Sequence, residues 1–351
     1  MRAELREFAL TLAEPLPTAA GEMDRREGWL VRVAGDGETG IGEATPLPGW
    51  TESRDACRAA LERAVDRLEI DGPDAALATL EDAPAARHGV ETALADLRAR
   101  EADVPLYRSL AKDVETITSV DGVPVNATIG DGDETDTVAA ARTAVDSGFS
   151  TLKVKVGNRA VGDDANRLRA VRDAVGEGVE FRADANGAWS PGEARAALDE
   201  FESIGVEYVE QPLPAGDLDG NAALSDSDRA VGIALDETVA EYGIDAVLDA
   251  DVADVVILKP MVLGGPTRTV EAADRARASG VEPVVTTTVD GVVARTAAVH
   301  ATAAIPDPPP AGLATGDRIA EDLGPDPAPI RDGSALVPGD KGLGVGAVWL
   351  E

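Results

Sequence analysis

Five lysines serve a chain of 351 residues, and two of them, Lys153 and Lys155, stand two apart in the apolar run TLKVKVG, residues 151–157. Residues two apart on a strand share a face, so both amines point the same way. Asp184, Glu210, Asp236 and Lys259 follow Lys155 at intervals of 29, 26, 26 and 23 residues, each at the end of a short β-branched run. Three carboxylates from successive strands, with no cysteine or histidine nearby, make a hard oxygen donor set that selects Mg²⁺, or Mn²⁺, over zinc. Ammonium groups clustered beside such a cation disfavour one another's protonation, and desolvation pushes the same way. A lysine base working near neutral pH needs its pKa lowered by roughly 3 units, on the order of 4 kcal/mol. The chemistry implied is removal of a proton α to a carboxylate, with metal and ammonium charge holding the enediolate. One carboxylate alone, among 65 acidic residues, reads as a solvated surface charge. The repeated spacing and the apolar strands argue for a gathered set.

The elements that must position these groups are legible from about residue 120. The runs VPVNATI, FSTLKVKV, VEFRADAN, VEYVEQPL, VGIALDET, ADVVILKP, VEPVVTTTV and the short AGLATG alternate with alanine-rich helical stretches. Eight such runs predict an α/β fold, a parallel sheet closed into a TIM-type (β/α) barrel whose site lies at the strand C-termini. The first hundred or so residues read as α+β. RAELREFALTL alternates, GDGETG separates two strand-like runs as a hairpin turn, and two helices follow, SRDACRAALERAVDRLE with a cap at Thr51 and PAARHGVETALADLRARE. After Gly316 a proline-rich stretch ends in ALVPGDKGLGVGAVWLE. The expected division is a capping domain at 1–118, a barrel at 119–316 and a segment at 317–351 that returns to the cap.

Basic residues number 32 against 65 acidic ones, a net charge of −33, which repels nucleic acid and anionic membranes. Acid spread along the whole chain, scarce lysine and 3% aromatics indicate a folded protein adapted to high salt. The lone Cys57 excludes an internal disulfide, and no leader or apolar stretch of about 18 residues is present, so a cytoplasmic protein is expected, with homo-oligomers compatible. His88 and His300 fall in helices with no acid partner at the barrel mouth, and neither GDGETG nor VLGGPT is a nucleotide-binding loop.

TLKVKVG, RADANGAWS, VEQPL, ALDET and VILKPMVLGG, in this order, with GEATPLPGWTES near the start and GLGV near the end, resemble the enolase superfamily in its muconate-lactonizing-enzyme subgroup. The resemblance covers nearly the whole chain, and within the subgroup it is greatest to the o-succinylbenzoate synthases of menaquinone synthesis. It implies Mg²⁺ held by Asp184, Glu210 and Asp236, with Asn186 beside the first ligand. It implies Lys155 as the base that removes the α-proton and then helps the hydroxyl leave, Lys153 as the group that tunes Lys155 and meets the substrate carboxylate, and Lys259 as electrostatic support over the ring face. Thr286, Thr287 and Thr288 stand where relatives carry serines that seat a succinyl arm, with Gly312 and Leu313 of the eighth strand alongside. The segment VDG after the threonines departs from the acidic-serine segment of such relatives. The capping loop EPLPTAAGEMDRRE and the segment PGWTES, with Trp50 as a wall or as interdomain packing, complete the expected pocket.

The activity so implied is dehydration of a small carboxylate, 2-succinyl-6-hydroxy-2,4-cyclohexadiene-1-carboxylate. An N-succinylamino acid or other N-acylamino acid racemase, with Lys155 and Lys259 on opposite sides of one α-carbon, stays open. A dipeptide epimerase is disfavoured because GLATGD lacks an Asp-x-Asp pair, and muconate cycloisomerase ranks lower. A non-catalytic, cation-binding acidic protein would not need inward lysines.

Overall fold

The computed structural model describes residues 1–18, 21–35, 37–112, 120–225, 229–346 and 348–349. Strands β1 (Arg2–Thr18), β2 (Gly21–Ala34) and β3 (Thr39–Ala44) form an antiparallel sheet in that order. Helices α1 (Arg54–Asp71), α2 (Pro73–Ala78), α3 (Pro84–Glu101) and α4 (Leu106–Leu110) follow. The buried α3 lies directly on β3, because a Cβ at Gly40 or Gly42 would come 2.0 Å from the Ala93 or Gly89 carbonyl oxygen. Glycine there is a packing requirement.

Two local expectations change. The cap of α1 is Ser53, whose hydroxyl accepts from Ala56 N at 3.3 Å, whereas Thr51 accepts from Leu47 N at 2.8 Å inside a turn. The stretch EPLPTAAGEMDRRE, expected as a loop, carries the hairpin outward: Leu16 pairs with Met23, Pro17 with Glu22 and Thr18 with Gly21, after a register shift between Thr11 and Leu16. Its prolines are tolerated because β1 is an edge strand. Residues 19–20 at the tip lie outside the described residues.

The chain then enters β4 (Gly122–Pro124) and β5 (Ala127–Ile129), followed by α5 (Glu134–Asp146), β6 (Thr151–Lys155), α6 (Val161–Val175), β7 (Glu180–Asp184), α7 (Pro191–Glu202), β8 (Val206–Glu210) and α8 (Leu218–Ser225). It continues through β9 (Gly232–Leu235), α9 (Glu237–Tyr242), α10 (Ile244–Ala250), β10 (Val255–Leu258), α11 (Pro260–Leu263), α12 (Pro266–Ala278), β11 (Glu282–Val285) and α13 (Val292–Ala303). Strands β5 to β11 form one parallel sheet in sequence order. The eighth run shrinks to two bridging residues: Ala311 pairs with Val125 and Gly312 with Thr286. Asn126 N donates to Ala311 O at 3.0 Å and Gly312 N to Val285 O at 2.8 Å, so backbone bonds link it to both edges of the sheet.

Alternation along the strands separates two apolar layers. Leu152, Val154, Phe181, Ala183, Val209, Leu235 and Leu258 pack outward against helices, while Tyr208, Ala234, Val255, Ile257 and Val284 fill the interior. Arg182, 1% exposed, lies over the Tyr208 ring at 5.0 Å and donates to Glu207 Oε2 at 2.9 Å. Interior side chains thus plug the barrel below the strand C-termini.

Beyond α13, β12 (Ile330–Arg331) and β13 (Ser334–Leu336) form a small antiparallel sheet with β4. Leu343, Val345 and Val348 then pack with Leu30 and Ala95 of the cap and with Val292 and Val293 of α13. Leu343 N donates to Asp96 Oδ1 of α3 at 2.7 Å. Among the described residues, no helix is long and apolar enough to cross a membrane.

Candidate active site

Lys155, Asp184 and Glu210 end β6, β7 and β8 and stand in register across adjacent strands. Asp236 and Lys259 follow β9 and β10 by one residue. Lys153 lies one inward step below Lys155. Its Nζ is 2.9 and 3.0 Å from the two oxygens of Glu210 and 3.0 Å from Asp184 Oδ2. Lys155 Nζ is 2.7 Å from Asp184 Oδ2 and 2.6 Å from Asn186 Oδ1, and Asn186 Nδ2 donates to Glu237 Oε1 at 3.0 Å. Across the mouth, Lys259 Nζ is 2.6 Å from Asp236 Oδ2 and 3.4 Å from the centroid of the Trp50 ring. The three lysines, the three carboxylates, Asn186 and Trp50 therefore share one end of the barrel.

Crowding governs the charges. Burial, with repulsion from Asp184 and Asp236, pushes the Glu210 carboxyl up to about 7 despite Lys153. Burial also raises Asp236, partly offset by Lys259. At Asp184 burial is outweighed by Lys153 and Lys155, which hold it below the usual carboxylate range. Burial alone would depress Lys153, but Asp184 and Glu210 hold it well above the ordinary lysine value. The depression expected from clustered ammonium groups is reversed at Lys153, because opposite charges about 3 Å away act more strongly than like charges farther off.

Among the described residues, no three acidic, histidine or cysteine side chains have donors already gathered as a ligand set. Each carboxylate is turned onto a lysine instead. The donors nonetheless suit a hard divalent ion: all are oxygens, all are buried at neighbouring strand ends, and their mutual repulsion is what such an ion relieves.

Sequence reasoning missed Gln211, which is fully buried at φ +42°. Its Oε1 accepts from Asp236 N and Thr238 N, each at 3.1 Å, and its Nε2 donates to Leu213 O and Thr238 Oγ1, each at 2.8 Å. This amide fixes the backbone that presents the third carboxylate. The only signal was its place directly after Glu210 in VEQPL. Arg167 does similar work for β6, donating Nη2 to Lys155 O at 2.5 Å.

The expected substrate wall is only partly as foreseen. Thr286 continues the inward series of Val284 and donates to Gly312 O at 3.0 Å. Thr287 bonds Thr315 Oγ1 at 2.8 Å, and Thr288 donates N and Oγ1 to Asp290 at 3.0 and 2.5 Å, so these two hydroxyls serve the loop itself. Gly312 backs Thr286, where a Cβ would lie 2.4 Å from Oγ1. Leu313 is fully buried in the layer between strands and helices, so its side chain faces away from the mouth. Trp50 lines a narrow cleft with Asp236, Ile257, Lys259 and Val262.

A cavity of about 310 Å³ lined by Glu207, Tyr208, Arg229 and Asp254 opens at the other end of the strands, away from these groups. The histidines lie elsewhere too. His88 Nδ1 is 2.7 Å from Glu43 O, and His300, which burial pushes down to about 4, has Nε2 3.1 Å from Leu343 O.

Known proteins align with both halves of this arrangement. The family description "Enolase C-terminal domain-like" matches residues 136–348, and "MenC, N-terminal domain" matches residues 1–97. The L-Ala-D/L-Glu epimerase of Bacillus subtilis is 31% identical over 312 residues, 86% of this chain and 84% of its own. Its substrate-liganded structure superposes with a TM-score of 0.86 at 29% identity, covering 98% of each chain. The o-succinylbenzoate synthase of Thermobifida fusca is 39% identical over 215 residues, 59% of this chain and 64% of that one. A dipeptide epimerase from Enterococcus faecalis, solved with Mg and the dipeptide L-Leu-L-Tyr, shares the fold at a TM-score of 0.86 and 24% identity over 98% of each chain. On sequence and fold together, this chain belongs to the enolase superfamily, in its muconate-lactonizing-enzyme subgroup.

Proposed function

We propose that this chain dehydrates 2-succinyl-6-hydroxy-2,4-cyclohexadiene-1-carboxylate to o-succinylbenzoate. The observation that carries this reading is the 39% identity, over 215 residues, to a synthase of that product, beside 31% over 312 residues to the epimerase. The match of the cap to the MenC N-terminal domain supports it. So does the eighth segment, where Leu313, Ala314 and Thr315 offer no carboxylate pair for a dipeptide ammonium group.

Asp184, Glu210 and Asp236 would hold a divalent cation, whose charge supplies a counterion for the substrate carboxylate and the enediolate. Lys155, once released from Asp184 and Asn186, acts as the base that takes the proton α to the carboxylate, and the C–H electron pair enters the enediolate. The ring C–O bond then breaks, the hydroxyl leaves with the proton that Lys155 has just received, and the ring becomes aromatic. One water is lost and Lys155 is regenerated. Lys153 stays a fixed positive charge beside Asp184 and Glu210, and Lys259 offers its ammonium from the opposite side.

The test is turnover of that substrate by the purified protein in Mg²⁺ and concentrated KCl, followed by mass spectrometry as loss of water. Lys155→Ala should lose about 10²- to 10⁴-fold in rate, the usual worth of a general base, while still binding Mg²⁺. No turnover by folded, Mg²⁺-bound wild type would sink the reading. Racemization of N-succinylamino acids is the second reading, favoured by Lys155 and Lys259 standing on strands four apart around the mouth. It would show as α-proton exchange in D₂O.

A further inference from the structure

Two charged residues of the cap, Arg26 on β2 and Glu43 on β3, are buried where the cap meets the 286–291 loop, at 2% and 0% exposure. Arg26 donates Nε to Val289 O at 3.1 Å and Nη2 to Asp290 Oδ1 at 3.4 Å. Its remaining bonds go to Pro46 O at 3.2 Å and Thr45 O at 2.9 Å in its own domain. Glu43 accepts from Gly291 N at 2.8 Å, Ala294 N at 3.0 Å and Thr45 Oγ1 at 2.6 Å. Gly291 is the cap position of α13 and has no side chain with which to cap it. Glu43 fills that role from the other domain, where the N–H groups and the helix dipole both favour a carboxylate. A Cβ at Gly291 would lie 2.8 Å from Glu43 Oε2, so glycine there admits the carboxylate.

Between these anchors Val289 adopts φ +61°. A β-branched residue in the left-handed region is strained, and such strain persists only when the surroundings over-determine it. Here Arg26 holds the Val289 carbonyl, Asp290 is bound by Arg26 and by Thr288, and Glu43 holds the next N–H. The Val289 side chain packs with Leu10, Leu12 and Ile319 beneath the β1–β2 hairpin.

We propose that Arg26 and Glu43 are positioning residues that set substrate specificity, by holding the 286–291 loop, and with it the Thr286 wall of the pocket, in one shape from the capping domain. The inference rests on the proposed function in taking this wall as the seat of the acyl arm. Simple interdomain packing would require neither a buried ion pair, which is costly to desolvate, nor a strained valine three residues from Thr286.

Steady-state kinetics of wild type, Arg26→Gln and Val289→Gly on the succinyl-bearing substrate test it, with Mg²⁺ binding as the folding control. Val289→Gly relieves the strain and frees the loop without touching a charge. Both variants should raise KM by about fivefold or more with kcat within about twofold, the signature of lost binding rather than lost chemistry. An unchanged KM in Val289→Gly, or kcat falling in step with kcat/KM, would overturn the proposal, and Val289→Gly decides if Arg26→Gln does not fold. Wild type that ignores the synthase substrate fails the proposed function alone. The same KM and kcat comparison then runs on N-succinylamino acids, and wild type acting on neither would end both ideas.

Discussion

The joint at Glu43 makes stability depend on pH in a direction opposite to that of an ordinary surface carboxylate. Burial, then repulsion from Asp290, pushes the Glu43 carboxyl from 4.5 to about 7, against hydrogen bonds from Thr45 and the Ala294 N–H, with Asp322 adding repulsion. A carboxyl with a raised folded pKa binds its proton more tightly in the folded state. Its contribution is therefore full below the unfolded value and is lost as pH rises through the folded one. A shift of about 2.5 units at about 1.4 kcal/mol each amounts to about 3 kcal/mol.

Glu43→Gln cannot ionise, so it removes this slope. Its amide also turns an NH₂ toward one of the two helix N–H groups, a mismatch worth about 1–2 kcal/mol at every pH. Urea midpoints would be measured from about pH 5 to about pH 8 at fixed KCl and saturating Mg²⁺, so that the mouth carboxylates behave alike in both proteins. The variant should be less stable near pH 5, with the gap closing and reversing by about pH 8. Parallel curves would refute the reasoning. They would mean that Glu43 is ionised throughout, with the helix N-terminus and Arg26 outweighing burial.

Three further outcomes are expected. Gln211→Leu leaves the buried N–H groups of Asp236 and Thr238 unpaired and should weaken Mg²⁺ binding about tenfold or more by calorimetry; unaltered affinity would show that Asp236 needs no such support. Trp50→Leu takes the ring face from Lys259, worth about 1–2 kcal/mol when desolvated, and should cut kcat/KM about 5- to 30-fold, with Trp50→Phe restoring most of it. The thermal midpoint should climb as KCl rises from about 0.1 to about 1 M and the Debye length falls from about 10 to about 3 Å, because a net charge of −33 repels itself. A flat response would remove self-repulsion as a factor in stability.

What the sequence showed and what it hid follow from the range of the interactions. Lys155, Asp184, Glu210, Asp236 and Lys259 were legible because a barrel repeats one unit, and each repeat delivers its last inward residue to the same rim. Lys153 followed from strand parity. The eighth run was too short to show how little pairing it supplies, and the prolines of residues 14–27 looked like a loop because an edge strand can carry them. Arg26, Glu43 and Gln211 carry no local pattern, since their partners lie across a domain boundary or on the next strand. One indirect signal existed. Gly291 stands at the start of a valine-rich helix and has no side chain of its own to cap it, and the N–H groups of that first turn imply an acceptor from elsewhere.

That logic recurs and bears on the lysine economy of the chain. Glu91 of α3 reaches the start of α12, where Thr267 donates to it and a Cβ at Gly265 would lie 2.1 Å from its carboxylate. Glu52 accepts from Ala85 N at 3.1 Å and Ala86 N at 2.8 Å at the start of α3. Acidic side chains thus find partners at helix N-termini. Where a buried cation is structural, it is an arginine: Arg26, Arg167, Arg172, Arg182 and Arg295 are all buried. Guanidinium keeps its charge on burial and forks between carbonyls, whereas an amine titrates. Lys112 and Lys341 lie at the surface, at 66% and 40% side-chain exposure, and the other three lysines stand at the mouth. A chain that builds its interior cations from arginine thus keeps three of its five lysines at the barrel mouth.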